Sequence, residues 1–303
     1  MFLLASRFIG KALLLVFLLV LASQLEPRAF LDLEVISSLI NFLIWIFLAV
    51  TFSIARIGSV FQPGELDLRL KGLLQHTQTP ALLAGVLIST VIIGAGFLLD
   101  QTRASHTLEI RLIVALFALV QFLYSYLLGF HQARESYRLV GVFYLVPGII
   151  ALAAAILFLY LDLGLRAALL AYLAGAVAQL LLAYVSLQRS LMRAPTGQFS
   201  GIPQRISPGL VRISVGITLF FAIYSMDIFS AKFLLDPASG ETYARLEFLG
   251  RILFTIVATM GFAFFVRIVR AYDDHGSYVS DTGFRLTLVV VAGVASTAAL
   301  LPY

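Results

Sequence analysis

Six ionisable residues stand inside or at the ends of long apolar runs, and their types set the chemistry on offer. Asp227 lies within the run 209–233, with Tyr224 one turn before it and Lys232 five residues on. A carboxylate there accepts hydrogen bonds or holds a proton or sodium ion. Its other role is to pair with a cation on a neighbouring helix and order the bundle. Arg251, in Leu249-Gly250-Arg251-Ile252, carries paired donors that match phosphate oxygens. It can equally snorkel toward headgroups or pair with Glu247, four residues earlier. Lys232 and Arg56 lie near run ends, where snorkelling is the default. Arg7 and Lys11 read first as positive anchors and second as cations able to meet a phosphate. A charge at the centre of a membrane helix costs roughly 2.5–3.5 kcal/mol on insertion scales, so such residues mark pathways or interior pairs.

Covalent chemistry finds little footing. The chain has no cysteine, which removes thiolate nucleophiles, disulfides and Cys-ligated metals. His76, His106, His131 and His275 all read as loop or span-end residues, and no two share a helix face. There is no His-Glu-x-x-His, no Gly-x-x-x-x-Gly-Lys-Ser/Thr and no Gly-x-Ser-x-Gly. The adjacent carboxylates Asp273 and Asp274 sit with Arg267, Arg270 and His275 and read as a solvated turn. We therefore expect no catalytic residue, no metal site and no enzyme.

The elements that position these residues follow from composition. Of 303 residues, 61% are hydrophobic and 12% charged, with mean hydropathy +1.00. Soluble domains run about 45–50% apolar and about 25% charged. A membrane β-barrel needs alternating segments of ~10 residues, and this chain has long unbroken runs instead. The fold class is all-α, a polytopic membrane protein. At 1.5 Å per residue, ~20 apolar residues cross the hydrocarbon. That ruler predicts nine spans, near 8–24, 34–55, 80–100, 109–130, 139–160, 166–187, 209–233, 246–268 and 284–303. Thr79-Pro80 and Ser207-Pro208 look like helix starts, and Pro147-Gly148 should kink span five. Tyr124, Tyr126, Tyr160 and Tyr303 fit an interfacial aromatic belt. The first span, after Arg7 and Lys11, reads as a retained helix rather than a cleaved signal.

Lys and Arg set the orientation. With the N-terminus in the cytoplasm, that side gathers Arg7, Lys11, Arg56, Arg69, Lys71, Arg134, Arg138, Arg189, Arg193 and Arg205. The two longest loops, 56–79 and 188–208, fall there too. The second is acid-free and holds Pro195, Gly197, Gly201, Pro203 and Pro208, so it marks a boundary. We expect a six-helix lobe over 1–190, a cytoplasmic linker over 191–208 and a partial three-helix lobe over 209–303. The turn Leu25-Glu26-Pro27 after span one echoes Leu235-Asp236-Pro237 after span seven, on the same side of the membrane. An offset of six spans makes the two lobes parallel repeats. The net charge of +5 speaks to topology and anionic headgroups. No aromatic-interleaved basic tract suggests nucleic acid.

The stretch Asp227-Ile228-Phe229-Ser230-Ala231-Lys232-Phe233-Leu234-Leu235-Asp236-Pro237, then Gly240-Glu241-Thr242-Tyr243-Ala244 and Leu249-Gly250-Arg251-Ile252, resembles the seventh-to-eighth helix region of polysaccharide flippases. Those belong to the multidrug/oligosaccharidyl-lipid/polysaccharide (MOP) exporter superfamily, with O-antigen flippases the most similar group. Leu25-Glu26-Pro27 and Gly129-Phe130-His131-Gln132-Ala133-Arg134 also look like this family. The motifs are short, and the resemblance otherwise rests on span order. It implies a bacterial inner-membrane flippase, N-terminus cytoplasmic, that moves a polyprenyl-pyrophosphate-linked oligosaccharide to the outer leaflet by alternating access. Its partners would be that anionic lipid-linked cargo, membrane lipids and other polysaccharide-assembly proteins. No cofactor is implied beyond a coupling ion, proton or sodium. On this reading Asp227 contacts sugar or the ion, and Arg251 the pyrophosphate. Such flippases have 12 to 14 helices, so the chain is expected to be a fragment, or else a short relative. The alternatives are a polymerase, ligase or glycosyltransferase of the same pathway, disfavoured by short outer loops, and a drug exporter of the same superfamily.

Overall fold

Lipid gives apolar helices no hydrophobic reason to associate, so their packing depends on small residues that let backbones approach and on polar bridges between helices. The computed structural model describes residues 2–192 apart from Glu26, Val60, Pro63, 101–107 and 161–163, and beyond them only 234–236, Ser239, Thr242, Tyr243 and Leu246. Within these lie six helices: α1 (Phe2–Gln24), α2 (Pro27–Ser59), α3 (Leu66–Asp100), α4 (Leu108–Ala133), α5 (Tyr137–Tyr160) and α6 (Leu165–Leu191). No strand occurs among the described residues. Among the described residues, five helical segments are long and apolar enough to cross a membrane: Leu39–Ser59, Leu66–Gly94, Leu108–Ala133, Tyr137–Phe158 and Leu165–Leu191. The chain is an all-α polytopic membrane protein. Nearly all of the linker and of the partial second lobe, with spans seven to nine, lies outside the described residues.

The helix α4 stands at the centre, against α2, α3 and α6, while α5 joins α6 to α1. Small residues make each seam. On α4, Ser125, Gly129 and Ala133 recur every fourth residue and face Thr51, Ile54 and Gly58 of α2. A side chain on Gly129 would lie 2.7 Å from Ile54 Cβ and 2.9 Å from the Thr51 carbonyl, and one on Gly58 would strike Ala133. On α6, Ala167, Ala171, Gly175, Gln179, Ala183, Leu187 and Leu191 form a buried stripe with the same period. Gly175 lies under the Pro147 carbonyl of α5. Between α1 and α5, Gly10 meets the Tyr144 carbonyl, and Gly148 faces the Gly10 carbonyl. One core gathers around Phe130, Phe143, Leu128 and Leu70, a second around Phe17, Leu21, Leu33 and Leu169.

The start of α3 departs from expectation. Thr79-Pro80 does not open a helix; α3 begins at Leu66 and runs through Pro80. The reason is energetic. An interior proline costs ~3 kcal/mol or more, but Leu70, Leu73 and Leu74 fall on one face of the added turns and are buried. Each buried leucine contributes about 1.5–3 kcal/mol, so continuing the helix wins. Much of the expected loop 56–79 is therefore helix. Pro147 does lie inside α5 as read from sequence.

The seams differ in tolerance. At Gly85 of α3 the nearest atom to an added methyl is the mobile end of Leu119, whereas at Gly129 it is a branched Cβ and a backbone oxygen. Gly129→Ala should lower the thermal midpoint of purified protein in detergent by an amount matching about 1–3 kcal/mol of overpacking, and Gly85→Ala should shift it much less. Equal shifts would mean that the α2–α4 contact is not the tight one.

Candidate functional site

Of the six candidate residues, Asp227, Lys232 and Arg251 lie outside the described residues, and Arg7, Lys11 and Arg56 lie within them. Arg7 is five residues into α1, about 7 Å along the helix, and is 8% exposed. Its guanidinium carbon stands 4.7 Å from the centre of the Tyr144 ring on α5, a cation–π geometry. Lys11, one turn on, is exposed, and Arg56 is half-buried in the last turn of α2. Since α1 packs on α5 and α2 on α4, with little contact between α1 and α2, Arg7 and Arg56 belong to different seams.

Arg7 has polar company that composition did not reveal. Behind Tyr144 lies Tyr124 of α4, whose hydroxyl sits in the field of Arg7 and Tyr144 and beside Gln179 of α6. That hydroxyl is buried, with the Gln179 side chain as its polar neighbour. Gln179 donates its amide to the Phe143 carbonyl of α5 at 2.8 Å. Four helices thus bring an arginine, two tyrosines and a glutamine together. Tyr124 and Tyr126 were expected at the membrane interface, but both are 5% exposed. The Tyr124 ring meets Phe143 of α5 edge-on at 6.4 Å, and the Tyr126 hydroxyl lies 2.7 Å from Thr77 of α3. Tyr160, at the end of α5, is exposed.

A second polar group ties the helix ends. His131, read as a loop or span-end residue, is fully buried in the last turn of α4. Its Nε2 lies 3.0 Å from the Ala183 carbonyl of α6, which makes Nε2 the protonated nitrogen, and its ring meets Phe143 edge-on at 4.9 Å. Arg134 grips Asp67 of α3 with two bonds, 2.7 and 3.2 Å, and reaches Ser190 of α6. The turn into α5 closes through Glu135 at φ +52°, with Ser136 N–H bonding the His131 carbonyl and Glu135 N–H the Gln132 carbonyl. That pattern ends helices in a left-handed residue, usually glycine. His131 and Arg134 belong to the stretch Gly129–Arg134 that carried part of the family resemblance. Gln179 was legible only as an amide inside the small-residue stripe of α6.

In the second half, Asp236 accepts the Ser239 N–H at 3.1 Å. This is the bond a helix N-cap makes to the third residue after it, and α2 likewise opens at Pro27 just after Glu26. No group of three or more His, Asp and Glu able to hold a metal ion occurs among the described residues.

No family model matches the chain, and no curated protein sequence matches it. Solved structures do. A MOP superfamily transporter from Pyrococcus furiosus, described as having a binding pocket of reversed polarity, aligns with a TM-score of 0.58 at 13% identity, over 97% of this chain and 76% of that one. An outward-facing multidrug resistance transporter of the MATE family, in the same superfamily, aligns with a TM-score of 0.54 at 13% identity over the same shares. The chain therefore has the fold of MOP superfamily transporters.

The Arg134–Asp67 pair is partly open to solvent, at 18% and 45% exposure, so its worth is about 1 kcal/mol. Arg134→Glu and Asp67→Lys should each lower the thermal midpoint in detergent, and the double exchange should recover part of the loss. A double variant no better than the sum of its parts would remove this pair from the lobe's stability.

Proposed function

We propose that the chain is a membrane transporter of the MOP superfamily that flips a polyprenyl-pyrophosphate-linked oligosaccharide between leaflets. The observation that carries this reading is a buried guanidinium, Arg7, inside a lobe with the fold of those transporters. A lipid-linked pyrophosphate is an anion that must pass through low dielectric, and arginine offers it charge and paired donors without being able to lose its proton. Arg56 and Lys11 extend that basic character, and the net charge of +5 suits an anionic cargo. Arg251 and Lys232 would face the pyrophosphate from the second lobe. Asp227 would bind sugar hydroxyls or the coupling ion, proton or sodium. The absence from the sequence of nucleophile, metal-ligand and ATP-binding motifs agrees with a function that makes and breaks no bond. Rocking of two lobes about the site would move the cargo.

The reading places the protein in the bacterial inner membrane, N-terminus in the cytoplasm, beside other polysaccharide-assembly proteins. A second reading, drug export, draws on the likeness to the multidrug resistance transporter, which extends to fold alone.

Deletion of the gene in its own cell separates the readings. The expected result is lipid-linked oligosaccharide accumulating on the inner leaflet while surface polysaccharide disappears. Unpolymerised units on the outer leaflet would instead indicate a polymerase or ligase. Unchanged pools with raised drug sensitivity would indicate an exporter. Asp227→Asn should insert normally yet fail to restore surface polysaccharide, and full complementation by that variant would take Asp227 out of the mechanism.

A further inference from the structure

The outward face of α3 changes chemistry at Pro80. Gln75, Gln78 and Thr79 are exposed before it, with His76 beside them. Leu82, Leu83 and Val86 are exposed after it, at helical steps that continue the same face. The polar group lies at a depth where the neighbouring helices present apolar surface. Thr77, between the two glutamines, meets Tyr126, which stands about 10 Å inside the end of α4 at Ala133. On α6, exposed Leu181 and Val185 flank Ala183, whose carbonyl meets His131, two residues from that same end of α4. On α5, exposed Leu139 lies two residues from the helix start at Tyr137. Apolar surface on α5 and α6 thus runs nearer the helix ends than the amides of α3 do. Two carboxamides and a hydroxyl at that depth need hydrogen-bond partners.

We propose that this face of α3 seats a lipid whose headgroup carries hydroxyl groups. Gln75, Gln78 and Thr79 are its hydrogen-bonding residues, and Leu82, Leu83 and Val86 lie under its acyl chain. The order of chemistries along the helix is that of such a molecule: polar toward the helix end, apolar toward the membrane centre. A second helix fits less well. Helices pack closely through small residues, and α3 turns its small residues inward. Ala81 and Ala84 pack against the cluster of Phe47, Ala118 and Phe122, and Gly85 lies under Leu119 and Phe122. The leucines and valine left outside hold a rigid helix away, whereas an acyl chain conforms to them. The headgroup follows from the donors and acceptors. A carboxamide and a hydroxyl each donate and accept. A choline phosphate accepts only, while a sugar hydroxyl does both. The seat is separate from the residues proposed for the cargo and does not depend on the flippase reading.

The test uses the full-length protein in detergent, with lipid retention and oligomeric state read together by native mass spectrometry. The probe is monoglucosyl diacylglycerol, and phosphatidylcholine with the same acyl chains is the comparison. Wild type should retain the glucosyl lipid at least ~10-fold more tightly, the scale of two net hydrogen bonds. The double variant Gln75→Leu/Gln78→Leu should lose that preference and hold both lipids alike. Both changes lie on an exposed face, so its thermal midpoint without added lipid should stay at the wild-type value. Thr90→Leu, an equally exposed polar-to-apolar change farther along α3, should keep the preference. Equal retention of the two lipids by wild type overturns the seat, as does an undiminished preference in the double variant. A wild-type dimer that the same two substitutions dissociate overturns it too, and makes the face a contact between two copies of the chain.

Discussion

A polar side chain on a membrane-spanning helix has no water to turn to, and in this lobe it repeatedly turns to a backbone carbonyl of the neighbouring helix. Thr51 of α2 bonds the Ser125 carbonyl at 2.7 Å, Ser89 of α3 the Ala115 carbonyl at 2.9 Å, and Gln179 of α6 the Phe143 carbonyl at 2.8 Å. His131 of α4 meets the Ala183 carbonyl in the same way. Serine and threonine are short, so these bonds form only where backbones come close, and that closeness comes from Gly58, Gly85, Gly129 and Ala133. The small residues and the hydroxyls are therefore one device. Each bridge contributes only about 0.6 kcal/mol on average and at most ~1.7. Four of them spread over four seams still fix the register of every helix they touch, because a slip of one residue turns the donor away from its acceptor.

That device distributes the helices unequally. The centre, α4, takes a bridge from both α2 and α3 and sends one to α6, so it is held on three sides. In contrast, α1 is joined to the lobe mainly through α5, with Gly10 and Gly148 at their closest approach. The Arg7–Tyr144 contact lies in that seam. Any shift of α1 along α5 lifts the guanidinium off the ring, which makes the surroundings of Arg7 dependent on that seam. The opposite holds for Arg134 and His131, whose partners on α3 and α6 are pinned to the same central helix.

Span order was legible because hydropathy reports the crossing of hydrocarbon, and six of the nine expected spans coincide with described helices. Helix ends were less so. Hydropathy falls off at the polar residues His76, Thr77, Gln78 and Thr79, yet Leu70, Leu73 and Leu74 carry the helix on beneath them, a tertiary reward with no local sign. The tyrosines of α4 were misplaced for a related reason: a tyrosine near a span end looks the same in sequence whether its ring faces lipid or a neighbouring helix. His131 was hidden likewise, since three more helical residues place it inside the lobe rather than in a loop. Arg7 was visible as a charge in an apolar run, but its ring partner lies on another helix, out of reach of any spacing argument. Asp227, Lys232 and Arg251 rest on sequence alone, outside the described residues.

The Tyr144 ring bears on how α1 carries a charge inside the lobe. A guanidinium near the end of a span bears less than the roughly 2.5–3.5 kcal/mol of a central position, because its stem allows the charge to lean toward the headgroups. A desolvated cation–π contact returns about 2 kcal/mol. The two are of similar size, so the ring contact offsets most of the cost of holding the charge at this depth.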